Sequence, residues 1–308
     1  MSLDTTAPAP AFFGARTDLP LADAEIVLFG APHGTPYPEF SNEALAGTAT
    51  TLRQALSHDA GWAHHWDFDL GRPLDDDGTL AFLDAGDLKT SSLDGPGNRE
   101  KIAAATAAIL QAGAAPVMIG GDDSVPIPFI EALAPLGPLT IVQVDAHIDW
   151  RDERRGERYG FSSTMRRASE MAHVERIVQV GIRGLGSAMQ EEVQIAETWG
   201  AEIVTARDVH RHGIEAALEH VPAGANCLIT LDCDALDPSI MKAVVAPTPG
   251  GLTYTQAIDL IHGVAAKARL RAFDMIEFIP ERDPDGLSAL TAARVLVNAV
   301  GAIRSTAR

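Results

Sequence analysis

A chain of 308 residues can bury a full core as one large α/β domain, and 46% hydrophobic residues with a mean hydropathy of +0.04 describe an ordinary globular protein, not a disordered or fibrous one. The formal net charge of −18, from 24 basic and 42 acidic side chains, repels polyanions and argues against nucleic acid as a partner, while giving a cationic ligand a mild long-range attraction. No apolar run approaches the roughly 20 residues of a membrane span, so no membrane partner is expected.

The amino terminus, MSLDTTAPAPAFFGARTD, lacks a basic segment followed by an apolar one. No secretory signal is expected, a cytoplasmic location is the default, and residues 1–25 read as an extension ahead of a single domain spanning 26–308. Ile26 to Gly30 is the first buried-strand candidate, followed by the Pro/Gly-rich loop APHGTPYPEF, which holds His33. Thr48 to Leu56 reads as a helix and Leu80 to Leu83 as a short strand. Asn98 is placed to cap an alanine-rich helix through Gln111. Ala115 to Ile119 forms a strand that ends in GGDDS, and Val125 to Leu133 a helix. After Leu139 to Val144, a polar loop from Arg151 to Ser163 leads to a helix around Thr164 to Met171. Arg176 to Val180 and Glu202 to Thr205 are strands on either side of a helix from Ser187 to Trp199. Cys227 to Leu231 and Leu270 to Ile276 are strands around a helix from Thr253 to Lys267, and Leu287 to Arg304 is the closing helix. This alternation predicts a mostly parallel sheet sandwiched between helices, with no linker to divide it. Cys227 and Cys233 lie too close along one strand and its exit to pair readily, so reduced thiols are expected.

Two of these strands end in metal-ligand side chains. The apolar run Leu139 to Val144 stops at Asp145, His147 and Asp149, which an extended backbone with its period of two would put on one face. Cys227 to Leu231 runs into Asp232 and Asp234 at the same spacing. Four carboxylates and one imidazole suit a hard or intermediate divalent ion such as Mn²⁺, with Ni²⁺ or Zn²⁺ as alternatives. That is more carboxylate than one ion needs. Two ions sharing aspartates is the layout that activates a water for hydrolysis.

Five motifs extend the argument: GGDDS at Gly120 to Ser124, DAHID at Asp145 to Asp149, LDCDALDP at Leu231 to Pro238, PGGL at Pro249 to Leu252 and DMIEFIP at Asp274 to Pro280. In that order the set resembles the ureohydrolase family, the arginases, agmatinases and guanidinobutyrases. The resemblance implies a three-layer α/β/α sandwich with a mostly parallel sheet, a pair of Mn²⁺ or Ni²⁺ ions, and a trimeric or hexameric assembly. It also implies hydrolysis of a small cationic guanidino substrate to urea and an amine. Carried over by position, Asp145 and Asp232 would bridge the ions, Asp149 would bind the first, and His147 and Asp234 the second. Glu277 would grip the guanidinium.

Three positions depart from the family pattern. Asp123 stands where GGDHS carries a first-ion histidine; as a ligand it adds negative charge and weakens the acidification of bound water. Ser162 falls near the histidine of the family's proton-shuttle loop, and a serine cannot replace an imidazole there. His33 is the candidate replacement, so Asp149, Glu277 and His33 are the residues expected to act in the reaction. The usual GTGTP run reads Ala243 to Pro247.

Three readings follow. One is an active hydrolase with altered chemistry. A second is an impaired subunit that assembles with an active paralogue, homo- and hetero-oligomers both being open, as in the two-subunit metformin hydrolase of this superfamily. The third is a metal-binding structural protein or a different hydrolysis. For individual residues the plainer alternatives are a buried salt bridge from Glu277 to Arg166 or Arg183, and surface or packing roles for His64, His65, His210, His212 and His220.

Overall fold

The computed structural model describes residues 3–186 and 188–307. In chain order the strands and helices are β1 (Thr5–Thr6), β2 (Ile26–Ala31), α1 (Thr48–Ala55), β3 (Phe82–Leu88), α2 (Gly95–Gln111), β4 (Ala115–Gly120), α3 (Pro126–Ala132), β5 (Leu139–Val144) and α4 (Thr164–Ala168). They continue with β6 (Val174–Ile182), α5 (Gln190–Trp199), β7 (Glu202–Thr205), α6 (Ala206–His212), α7 (Glu215–Leu218), β8 (Asn226–Asp232), α8 (Tyr254–Lys267), β9 (Arg269–Ile276) and α9 (Leu287–Ala307). The strands form one sheet in the order β1-β3-β2-β4-β9-β8-β5-β6-β7, parallel except for β1.

Continuous apolar strands need cover on both faces, and each face has it. One face of the sheet, through residues such as Val27, Phe29, Leu139 and Ile141, packs on Ile102, Ile109, Phe129, Met165 and Ala196 from α2, α3, α4 and α5. The other, through Ile26, Leu28, Val142 and Val144, packs on Leu52, Val209, Ala217, Ile261 and Leu296 from α1, α6, α7, α8 and α9. The expected three-layer sandwich is therefore present. In α9 the buried Ala292, Leu296, Ala299 and Ile303 recur at helical spacing, and burying each large aliphatic chain is worth about 1.5–3 kcal/mol. Contrary to the expectation from apolar runs, Leu287–Thr306 has the length and the mean hydropathy, 1.3, of a membrane span. It is 83% buried inside the fold, which makes it a core helix.

Several boundaries differ from the sequence reading. β3 runs on through the DAGDL segment to Leu88. α2 begins at Gly95, capped by Asp94, whose Oδ1 accepts from the Gly97 N–H. Asn98 is not the cap; it lies buried in the first turn, where its amide donates to Gly34 O and Ser91 O and so ties down the loop after β2. The short α6 and α7 were not foreseen, and Ser187, taken as the start of a helix, lies outside the described residues. Residues 3–25, read as an extension, join the sheet: Thr5 pairs with Leu88, and Phe12 is buried in the core. The Phe12 N–H donates to Asp84 Oδ2, which Arg53 Nε also binds at 2.8 Å. The same guanidinium reaches Asp84 Oδ1 and Asp87 Oδ1 at 2.9 and 2.6 Å, closing a buried charge cluster between α1 and β3.

Candidate metal centre

The carboxyl ends of four neighbouring central strands, β4, β9, β8 and β5, converge at one edge of the sheet, the usual place for an α/β site. β4 delivers Asp122 and Asp123, β9 delivers Glu277, β8 delivers Asp232 and Asp234, and β5 delivers Asp145, His147 and Asp149. The last three do not share a face by strand alternation. β5 stops at Val144, and residues 145–149 form a bend in which Asp149 takes φ 52°. Glu277 also lies in the left-handed region, at φ 66°. Among the described residues only one other non-glycine residue, Arg155, does so, and backbone strain of this kind concentrates where geometry is imposed by function. Behind the bend runs Gly181, at φ 102°, where an added Cβ would stand 2.9 Å from Asp145 O.

Because of the bend the ligand side chains fall into two groups. Asp145, His147 and Asp234 form one and Asp123, Asp145 and Asp149 the other, each with its ligand atoms within 4.8 Å of one another. Asp145 belongs to both. Asp232 lies outside these tight groups but is buried beside them, its Oδ1 accepting from Asp234 N–H at 2.7 Å.

Burial, then the negative charges of Asp149, Asp145 and Glu277, pushes the Asp123 carboxyl well up. Burial and Asp234 raise Asp145, and burial with Asp234 and Asp145 pushes Asp232 well up. Hydrogen bonds to Asp145 and Asp234 raise His147 to about 11. Asp123 Oδ2 is buried with no hydrogen-bond partner. Such a crowd of acceptors calls for positive charge. The oxygen-rich donor set with one imidazole, and the orphaned Asp123 oxygen, fit two divalent cations.

Glu277 is not paired with Arg166 or Arg183. Its Oε1 accepts from the Asp123 N–H at 2.9 Å, and burial, then the charge of Asp122, raises it to about 8. Arg183 is engaged with carbonyls, reaching Asp234 O at 2.6 Å and Thr248 O at 2.7 Å. Beside it Asp237 Oδ2 accepts from the N–H groups of Gly250 and Gly251 at 2.9 and 3.1 Å. Asp122 accepts from the N–H and hydroxyl of Ser124 and belongs to neither ligand group. His33 stands apart: Nδ1 is 2.9 Å from Thr90 Oγ1 and Nε2 is 3.8 Å from Glu43, with no carboxylate of either ligand group inside ion-pair distance. Ser162 is buried, its Oγ 2.7 Å from the hydroxyl of the fully buried Tyr37. Both cysteines are buried free thiols.

One residue close to the ligands was missed. Gln143 Nε2 donates to Asp145 Oδ2 and Asp149 Oδ2 at 2.8 and 2.7 Å. The available signal was a polar amide inside the otherwise apolar run of β5, two residues before the first aspartate.

Sheet, helices and acidic edge define an α/β/α protein suited to hold divalent cations at the carboxyl ends of its central strands. Residues 24–301 match the sequence model of the Arginase family, and the chain belongs to that family. It is similar to the N(1)-aminopropylagmatine ureohydrolase of Thermus thermophilus, 34% identical over 193 residues that cover 62% of this chain and 64% of that protein's length. Its fold matches the solved structure of proclavaminate amidino hydrolase from Streptomyces clavuligerus with a TM-score of 0.84 at 24% identity, over 98% of this chain and 99% of that one. A structure of Trypanosoma cruzi formiminoglutamase with Mn²⁺ superposes with a TM-score of 0.78 at 21% identity, over 94% and 96% of the two chains.

Proposed function

We propose that this chain hydrolyses a guanidino or amidino carbon–nitrogen bond of a small cationic substrate, releasing urea and an amine in the agmatinase manner. The observation that carries the reading is Asp145, shared by two ligand groups as a bridging carboxylate between two ions must be. In this reading Asp123, Asp145, His147, Asp149, Asp232 and Asp234 would hold the ions, with Mn²⁺ or Ni²⁺ as the occupant. Bound there, the ions would supply the positive charge that lowers the pKa of a water molecule. Glu277, fixed through one oxygen by the Asp123 N–H, presents its other oxygen to the guanidinium and orients it. The surrounding carboxylates favour a cation over a neutral analogue. Departure of the amine needs a proton, and His33, held by Thr90, is the imidazole assigned to supply it. The same proposal places the enzyme in the cytoplasm as a trimer or hexamer.

A second reading is supported by Ser162. The position expected to carry a proton shuttle holds a hydroxyl bonded to the Tyr37 hydroxyl, and no imidazole stands there. In this reading the chain is the impaired member of a pair and works beside a paralogue that keeps the histidines.

Metal content per chain by elemental analysis, together with urea release from a panel of guanidino compounds, separates the two. Near two ions with turnover supports an independent hydrolase; ions without turnover support the partner subunit. Asp145→Asn should abolish both uptake and turnover, and a variant that kept them would overturn the dinuclear reading.

A further inference from the structure

Beneath the ligand carboxylates runs a chain of side-chain amides. β5 and β6 carry the same tetrapeptide, Ile-Val-Gln-Val, at residues 141–144 and 177–180, and the two strands pair in register so that Gln143 stands beside Gln179. Both glutamines are buried, at 2% and 0% exposure. Trp150 Nε1 donates to Gln179 Oε1 at 3.0 Å. Gln179 Nε2 donates to Ile148 O at 2.8 Å and to Gln143 Oε1 at 2.5 Å. Gln143 Nε2 then donates to Asp145 Oδ2 and Asp149 Oδ2.

The direction of this chain is dictated at its far end. An indole can only donate, so Gln179 must turn its oxygen toward Trp150 and its nitrogen toward Gln143. Gln143 must in turn present its oxygen to Gln179, which leaves both of its N–H groups for the two aspartates. Flipping either amide would set oxygen against oxygen in a buried setting, at the cost of an unmade hydrogen bond.

The partners of the two glutamines all lie in one short segment: the Asp145 side chain, the Ile148 carbonyl, the Asp149 side chain and the Trp150 indole. That segment is the bend that replaces the end of β5 and includes the left-handed Asp149. We infer that Gln143 and Gln179 are positioning residues, a rigid template that holds the bend Asp145 to Trp150 in ion-binding shape and dictates which oxygens of Asp145 and Asp149 face the ligand groups. The inference rests on the metal reading above.

The test is Mn²⁺ titration, by calorimetry, of the metal-stripped full-length protein and of Gln143→Met, Gln179→Met and Trp150→Phe. Methionine keeps the length and volume of glutamine but donates nothing. Phenylalanine keeps an aromatic ring at the buried residue 150 but removes the N–H that dictates the direction together with the rest of the indole, so its melting temperature is read beside its affinity. The expected result is Mn²⁺ affinity weakened by about 10-fold or more in Gln143→Met, in the range found when hydrogen-bond partners of ligands are removed. Smaller losses are expected in Gln179→Met and Trp150→Phe, with far-ultraviolet circular dichroism unchanged. A purely structural role would move the melting temperature and leave affinity alone. Wild-type affinity, within twofold, in all the variants that fold would overturn the inference while leaving the metal centre standing. Trp150→Phe touches no ligand and keeps the test decisive should Gln143→Met fail to fold. If the unmodified protein takes up neither Mn²⁺ nor Ni²⁺, the metal reading fails, and this inference with it.

Discussion

The backbone N–H of Asp123 donates to Oε1 of Glu277 over 2.9 Å, joining the ends of neighbouring strands β4 and β9. Since the bond uses the main chain of residue 123, the side chain there can change without unseating Glu277. Asp123→His would remove a carboxyl that burial, Asp149 and Asp145 push well up, and would replace it with a neutral nitrogen donor. The expected outcome is Mn²⁺ bound roughly tenfold tighter, a typical size for a single change at a metal site. Titration of the purified variant checks it, and an unchanged affinity would show that residue 123 binds no ion.

Ser162→His tests whether an imidazole at residue 162 supplies a proton that His33 alone delivers slowly. The Tyr37 hydroxyl now occupies the hydrogen-bonding position at Ser162, so the substitution is best combined with Tyr37→Phe. If the chain is an independent hydrolase limited by proton supply from His33, urea release should rise by about 10²-fold, the lower end of what general acid catalysis contributes. No rise in protein that carries its ions would favour dependence on a partner subunit.

Asp274 makes the metal-free protein sensitive to pH. Burial raises its carboxyl from 3.8 to about 8, and one oxygen accepts from Thr230 Oγ1 while the other has no partner. The folded state therefore keeps a proton that the unfolded chain releases, and stability falls as pH rises from about 4 to about 8 and is flat above that. Asp274→Asn should make this slope shallower by the share Asp274 contributes and gain on the order of a few kcal/mol at pH 8, leaving the share of the raised site carboxyls in place. Urea unfolding at several pH values in the presence of a chelator measures the difference.

Arg53→Met should cost about 3–5 kcal/mol, because Asp84 would be left buried without its counter-charge. Urea denaturation reads the loss directly. Arg53→Met combined with Asp84→Leu should recover much of it.

The fold was legible because the buried strands spell themselves out as short apolar runs, and the two that end in aspartates at spacing two, β5 and β8, are strands whose carboxyl ends face the site. The ligand set was legible for the same reason. The shape of the β5 exit was not, since a period-two argument holds only while the backbone stays extended, and Asp149 at φ 52° has left that region. The same bend splits His147 from Asp149 and makes Asp145 the shared residue. His33 illustrates a different limit: a loop position near the site says nothing of which neighbour a ring will meet, here Thr90 and Glu43. Gln143 and Gln179 escaped notice because a lone glutamine in a strand carries no ligand signature, although the repeated Ile-Val-Gln-Val was visible.

The segment between Asp237 and Gly251 is fastened at its two ends. Asp237 accepts from the N–H groups of Gly250 and Gly251, and Arg183 spans from Asp234 O to Thr248 O. Between these anchors Val244 pairs with Phe278, the neighbour of Glu277, while Val245 and Pro247 face outward. Such a stretch is a natural place for divergence after gene duplication. It is also where a combinatorial library would start: residues 245–247 can be randomised while the candidate ligand aspartates stay where they are.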